Sequence, residues 1–255
     1  MRALHAEWTK LRTLPSTWWL LAATVALTVA VGAAATASLT SRVCPLPADC
    51  HEDTVKLSLT GVWLGQATCL VLGALTMGAE YGTGTIRTTF TAMPARTRVL
   101  TAKATALSAG VGAAAAAAIL ASLAVARAIL PANGFPAPTL TAPATLRAAA
   151  GSVLCLTLVT LLGLALAALL RDTAAALTTG LALLYVIPLL SDLLTSPTWQ
   201  HRLQRWAPMP AGLAIQSTKN LDHLPIGPWP GLGVLAAYAA ALLAAGSVLL
   251  RTRDA

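Results

Sequence analysis

The sequence predicts an all-α integral membrane protein with six transmembrane helices, both termini cytoplasmic and an N-terminal interfacial amphipathic helix. Three observations carry this. Of 255 residues, 56% are hydrophobic and only 10% are charged, with a mean hydropathy of +0.72; such a chain has too few polar side chains to cover a water-facing surface. Six apolar runs, at 16–39, 57–79, 104–130, 148–170, 174–194 and 230–250, are each long enough at 1.5 Å per residue to cross a hydrocarbon core of about 30 Å. The charges cluster between those runs, and the bases favour one side. The net charge of +8 therefore needs no nucleic acid, because bases beside membrane spans are what the positive-inside rule expects.

Residues 1–15 precede the first span. Leu4, Trp8 and Leu11 fall at i, i+4 and i+7, on one face of a helix, with Arg2, Glu7 and Lys10 elsewhere around it. Such a helix lies at the membrane surface, with Trp8 at headgroup depth and its bases near anionic lipid. Span 16–39 opens on Trp18 and Trp19, residues suited to the interfacial belt. Its length exceeds the 7–15 apolar residues of a cleaved signal, so it reads as a retained anchor.

The polar loop after it, CPLPADCHED, holds Cys44 and Cys50, and two readings stay open: a disulfide on an oxidising side, or two free thiols. Two thiols and His51 make a weak metal set, and no metal site is assigned. Cys69 and Cys155 sit inside apolar runs as packing residues.

Residues 80–103, EYGTGTIRTTFTAMPARTRVLTAK, form the most informative stretch. Gly82, Gly84 and Pro94 prevent a single continuous helix, and Arg87, Arg96, Arg98 and Lys103 stand against one acid, Glu80. Glu80 is expected to pair with Arg12 or Arg87. In the alanine-rich third span, Ser108, Gly112 and Ala116 have the small-xxx-small spacing of close helix packing, and the segment from Gly231 to Gly246 is expected to pack likewise. Arg171, Asp172 and Thr173 leave room only for a tight hairpin, and Pro188 should kink the fifth span. In the long external segment 195–229, Trp199, Leu203 and Trp206 repeat the i, i+4, i+7 pattern of a short surface helix ended by Pro208 and Pro210.

Six crossings put both ends on one side. Segments 1–15, 80–103, 171–173 and 251–255 hold ten Lys and Arg residues, and the longer segments 40–56, 127–147 and 195–229 hold seven. The denser side is assigned to the cytoplasm, which places 80–103 inside and Cys44 and Cys50 outside.

No GxxxxGK[ST] loop, no HExxH and no convergent Ser/His/Asp set occurs, and His5, His51, His201 and His223 all lie in terminal or loop segments. Arg127 and Asp192 sit near the outer ends of their spans. No charge is expected at mid-depth, where one costs at least about 2.5–3.5 kcal/mol and is kept mainly for function. A carrier driven by its own intramembrane proton relay is thus disfavoured.

The pattern E-Y-x-x-G-T-I-R beginning at Glu80, the P-x-R of Pro94 and Arg96, and Lys103 at the start of the next span resemble the type-2 export class of ATP-binding-cassette transporter permeases. The opening AEWTKLRTLPSTWWLL and the closing LLRTRDA are similar to its actinobacterial members. The resemblance implies a permease without its own nucleotide site, paired with a second permease subunit and driven by separate ATPase subunits that bind ATP and Mg. It implies a coupling helix over 83–93, with Glu80, Thr83, Arg87, Met93 and Arg96 at the ATPase contact. It further implies a connecting helix over 2–13 carrying Trp8, Lys10 and Arg12, and a cargo path beside the second and fifth spans, with Gln66, Thr76, Thr178 and Tyr185 as candidates. A mostly apolar path suits a drug, lipid or peptide. The competing readings are a polytopic membrane enzyme, for which the sequence supplies no catalytic set, and a non-transporting immunity or sensor protein on the same fold.

Overall fold

The computed structural model describes residues 2–39, 52–92, 95–193 and 196–252. Cys44, Cys50 and Met93 lie outside them. Six of its helices are long and apolar enough to cross a membrane, and among the described residues all regular structure is helical, as expected of a multi-pass membrane protein.

The chain opens with α1 (Arg2–Thr13) and α2 (Pro15–Ser38), continues through the short α3 (Thr54–Ser58) into α4 (Val62–Gly82), and then forms α5 (Thr85–Ala92) and α6 (Arg96–Ala132). Next come α7 (Pro143–Leu170) and a fifth span made of α8 (Thr173–Leu181), a π-helical stretch (Ala182–Val186) and α9 (Ile187–Asp192). Helices α10 (Pro197–Trp206) and α11 (Pro208–Leu213) precede the last span, α12 (Pro228–Thr252). Proline in the first turn opens α2, α7, α10 and α11, where its missing N–H costs no hydrogen bond and its fixed φ suits the helix.

Helices α4 and α7 form the centre. About 56% and 61% of their most apolar windows are buried, against 22% for α2, 17% for the fifth span and 22% for α12, so the last three turn most of their surface outward. The central pair meets backbone to backbone. A β-carbon at Gly73 would lie 2.0 Å from the Thr160 carbonyl oxygen, and one at Gly163 would lie 2.4 Å from that of Leu70. Between helices in lipid, where apolar burial gives no driving force, such contact is a main source of attraction. The expected stripe on α6 is looser: Ser108, Gly112 and Ala116 are only half-buried, and the buried face is formed by Leu107, Val111, Ala115, Ala118 and Ile119. Gly231 and Gly246 do pack closely, against Ala211 and Ala168.

Arg171 ends α7 in the left-handed region at φ 56°, and the Asp172 carboxylate caps α8 by accepting from the Ala175 N–H at 2.7 Å. In the fifth span the π-helical stretch precedes Pro188. Widening the turn here moves the carbonyl four residues back away from the proline ring, whose missing N–H also frees a hydrogen bond. The disturbance therefore falls one turn before the proline.

The end of the bundle opposite α1 is closed by side chains. Asp53 caps α3 through Lys56 N–H at 3.0 Å and also accepts from the Thr218 N–H and hydroxyl and from the Lys219 N–H. Gln216 is buried and donates to the Leu59 carbonyl (3.3 Å) and to Ser152 Oγ (3.2 Å), while Arg147 donates to the Ser217 carbonyl at 2.6 Å. The segment 208–217 thus dips into the bundle rather than lying wholly on its surface. The short helix α10, with Trp199 and Trp206 exposed, stops at Trp206 just before Pro208 as expected, and the same proline opens α11.

Two consequences are measurable by thermal unfolding of the purified chain in detergent. Gly73→Ala should cost about 1–3 kcal/mol, since backbone has to move to admit the methyl, whereas Gly233→Ala, with open space around it, should not destabilise. Burial alone would raise the Asp53 carboxyl, but the hydrogen bonds from Thr218, Lys56 and Lys219 outweigh it and hold it below its ordinary 3.8. Its stabilisation is complete above that value and is lost as the pH falls through the depressed one. Asp53→Asn should lower the unfolding temperature at pH 7 and shrink the drop between pH 5 and pH 3.

Candidate functional site

Four charged side chains from three elements meet at the α1 end of the bundle. Glu7 lies on the face of α1 turned toward α6, Lys10 one turn further on, Glu80 in the last turn of α4, and Lys103 two turns into α6. The Lys103 ammonium donates to Glu7 Oε2 at 2.8 Å and to Glu80 Oε1 at 2.7 Å. Lys10 closes the square, 2.8 Å from Glu80 Oε1 and 3.3 Å from Glu7 Oε1. Lys103 is 1% exposed and Glu7 2%, so the pair is effectively dry. Each acid thus meets both lysines, and the four formal charges cancel.

This arrangement corrects two expectations. Glu80 pairs with Lys10 and Lys103, not with Arg12 or Arg87. Lys103, expected at the end of the polar stretch 80–103 where the third span starts, is instead the most enclosed charge among the described residues, because helix α6 begins at Arg96 and carries Lys103 inside the bundle. Burial alone would lower the Lys10 ammonium, but the hydrogen bond and charge of Glu80 and those of Glu7 prevail and hold it above the usual lysine value. A cavity of about 240 Å³ lies beside the square, bounded also by Leu14, Leu20, Leu72 and Thr76. The second Glu80 oxygen is buried with no partner among the described residues.

The loop element α5 sits next to this cluster. Gly84, at φ 70°, turns the chain out of α4 through a conformation that disfavours side chains. Ile86 is buried and Phe90 packs against the core, while Arg87, Thr88 and Thr91 on the other face are exposed. Arg96 lies over the Phe90 ring at 5.3 Å and donates to the Leu250 carbonyl at 2.9 Å, so one guanidinium joins α5, α6 and the end of α12. Arg171 lies over the Tyr81 ring at 5.8 Å and braces the α7–α8 turn against α4. Thr83 is exposed; its hydroxyl donates to the Ala79 carbonyl at 2.8 Å and lies 2.9 Å from that of Thr85.

On α1, Arg12 is exposed and its carbonyl accepts from the Trp18 indole at 2.9 Å. Trp8 is 39% exposed and Leu4 46%. The apolar residues of α1 therefore flank its contact with α6, and the acid Glu7 points inward.

The four cargo-path candidates do not share one surface. Gln66 is fully buried, donating to Cys155 Sγ at 3.6 Å, so it belongs to the interior between α4 and α7 and not to an open path. Thr76 donates to the Leu72 carbonyl and borders the cavity beside the charge square. Thr178 is exposed and bonds back to its own helix. Tyr185 donates to the Trp63 carbonyl at 2.6 Å, with the two rings edge to face at 5.2 Å. Sequence reasoning missed Glu7 as a site residue; an acid on an otherwise basic leader, three residues before Lys10, is the signal that pointed to it.

No protein-family model and no curated protein matches this chain.

The square predicts unequal costs. Lys103→Met leaves the Glu7 and Glu80 carboxylates to share the single, partly exposed Lys10 and should destabilise by about 3–5 kcal/mol, whereas Lys10→Met, at a site 44% exposed, should cost under about 1 kcal/mol. Unfolding of a Glu7→Gln/Lys103→Met pair beside its single variants should show that the two losses are not additive.

Proposed function

We propose that this chain is the membrane subunit of an ATP-driven exporter of the type-2 ATP-binding-cassette class, moved by a separate ATPase and paired with a second permease subunit in the cell membrane. The observation that carries the reading is α5. It is a short helix between the second and third spans, held to the bundle by Ile86 and by the Phe90–Arg96–Leu250 clamp, with Arg87, Thr88 and Thr91 turned away. A rigid element seated on an ATPase can pass that protein's motion directly to the spans beside it. On this reading Arg87 and Thr83 belong to the contact surface, whereas Glu80 and Arg96 act behind it, holding α5 and α1 to the spans. Both termini and α5 face the cytoplasm, α1 lies at the inner membrane surface as the connecting helix, and the cargo is hydrophobic or amphipathic. ATP and Mg belong to the partner.

The test begins with topology. In a chain whose Cys44 and Cys50 are replaced by serine, a cysteine placed at Thr88 should resist a membrane-impermeant maleimide in intact cells and react after permeabilisation; reaction in intact cells would overturn the assignment. Arg87→Glu should then reduce co-purification with the proposed partner ATPase about tenfold, equivalent to about 1.4 kcal/mol, with the unfolding temperature unchanged. Equal recovery of the ATPase would remove Arg87 from the contact.

A further inference from the structure

A separate feature on the outer flank of α1 has a chemistry of its own. A cavity of about 430 Å³ runs between α1, α2 and α6, within the roughly 300–1,000 Å³ range of small-molecule sites. Its walls are apolar: Leu21 and Val25 on α2, Leu107 and Val111 on α6. It stays open because α6 presents Gly110 there, where an added β-carbon would meet nothing within 4 Å. At the α1 end the lining changes to Trp8, Trp18 and Arg12. The Trp18 indole is fixed on the Arg12 carbonyl, which holds the α1–α2 corner in place. The groove therefore joins an apolar slot to a cationic, aromatic mouth, at the point where the first span begins.

Among the described residues the charge at that mouth is uncompensated. The two nearby acids, Glu7 and Glu80, are both engaged by Lys10 and Lys103, and among the described residues no acidic side chain pairs with Arg12. A phosphate is thus welcome, but a cationic headgroup has no carboxylate to meet. We propose that the groove binds an anionic glycerophospholipid, one acyl chain between α2 and α6 and its phosphate on Arg12. Arginine suits this role, since its planar fork makes paired hydrogen bonds to phosphate, and the tryptophans suit headgroup depth. The site requires only that the bundle lie in a membrane; it stands whether or not an ATPase drives the chain.

Native mass spectrometry of the full-length chain, delipidated in detergent and titrated with phosphatidylglycerol or phosphatidylcholine of identical acyl chains, tests this. The first phosphatidylglycerol should bind more tightly than phosphatidylcholine, and Arg12→Gln should abolish that preference with a loss of about fivefold. Gly110→Leu, which places a side chain in the slot, should weaken both lipids about tenfold or more, and Arg98→Gln should weaken neither. If Gly110→Leu does not unfold with the wild-type transition, Ala113→Leu, on the same wall, supplies the plug. Equal binding of the two lipids by the wild type, or binding untouched by both Arg12→Gln and a folded plug, would overturn the proposal. So would a dimer mass with lipid excluded, which would make the groove a contact between copies.

Discussion

A lysine ammonium removed from water must be surrounded by acceptors or it is not tolerated, and Lys103 meets that condition only because α1, α4 and α6 arrive together. Much of this end of the molecule follows. Glu7 has to face α6, which fixes the rotation of α1 about its axis and leaves Leu4 and Trp8 outward on its flanks. Glu80 has to stay at the α1 end of α4, which leaves its side chain only 13% exposed. With both acids engaged, Arg12 and Arg87 are left facing outward as exposed cations, one beside an apolar groove and the other on α5. A hydrophobic trio of similar volume would hold the helices as well or better; what the ionic square adds is one register, since only one rotation of α1 brings both carboxylates to both lysines.

The remaining contacts at the α1 end work by crossing between elements. Arg96 ties α5 and α6 to the last carbonyls of α12, and Arg171 ties the α7–α8 turn to Tyr81 of α4. These cations lie at helix ends where unpaired carbonyls concentrate. At the opposite end the same role falls to acceptors and amides, Asp53 on the 218–219 backbone and Gln216 on Leu59 and Ser152. Both ends of the bundle are thus fastened, while the fifth span between them is held to α4 and α7 by apolar packing of Ala176, Gly180 and Leu184 and by Tyr185 on the Trp63 carbonyl.

Hydropathy made the six spans legible because an apolar run long enough to cross a bilayer has few other uses. It misjudged the start of the third span, where Arg96 to Lys103 is helical but charged, since hydropathy reads polarity and not backbone state. The partner of Glu80 was not legible from nearness in sequence: Lys103 lies 23 residues away and Lys10 lies 70, and only the packing of α1 across α6 brings them together. Gln66 shows the converse limit, because a polar residue in an apolar run is compatible with either a lined path or a buried hydrogen bond, and burial decides for the second. Pro208 marks the end of α10 as its type suggests, but that it also opens a second, inward-turned helix is visible only in the burial of Met209 and Ala211 on α11.

The meeting of Gly73 with Gly163 has a mechanical corollary. Side-chain interfaces yield, because rotamers can rearrange, but two backbones in van der Waals contact offer nothing to rearrange. The crossing therefore acts as a fulcrum near mid-bundle: if the Glu80 end of α4 swings one way against α7, the Val62 end must swing the other. A tilt of α4 about that contact would therefore move its two ends in opposite senses.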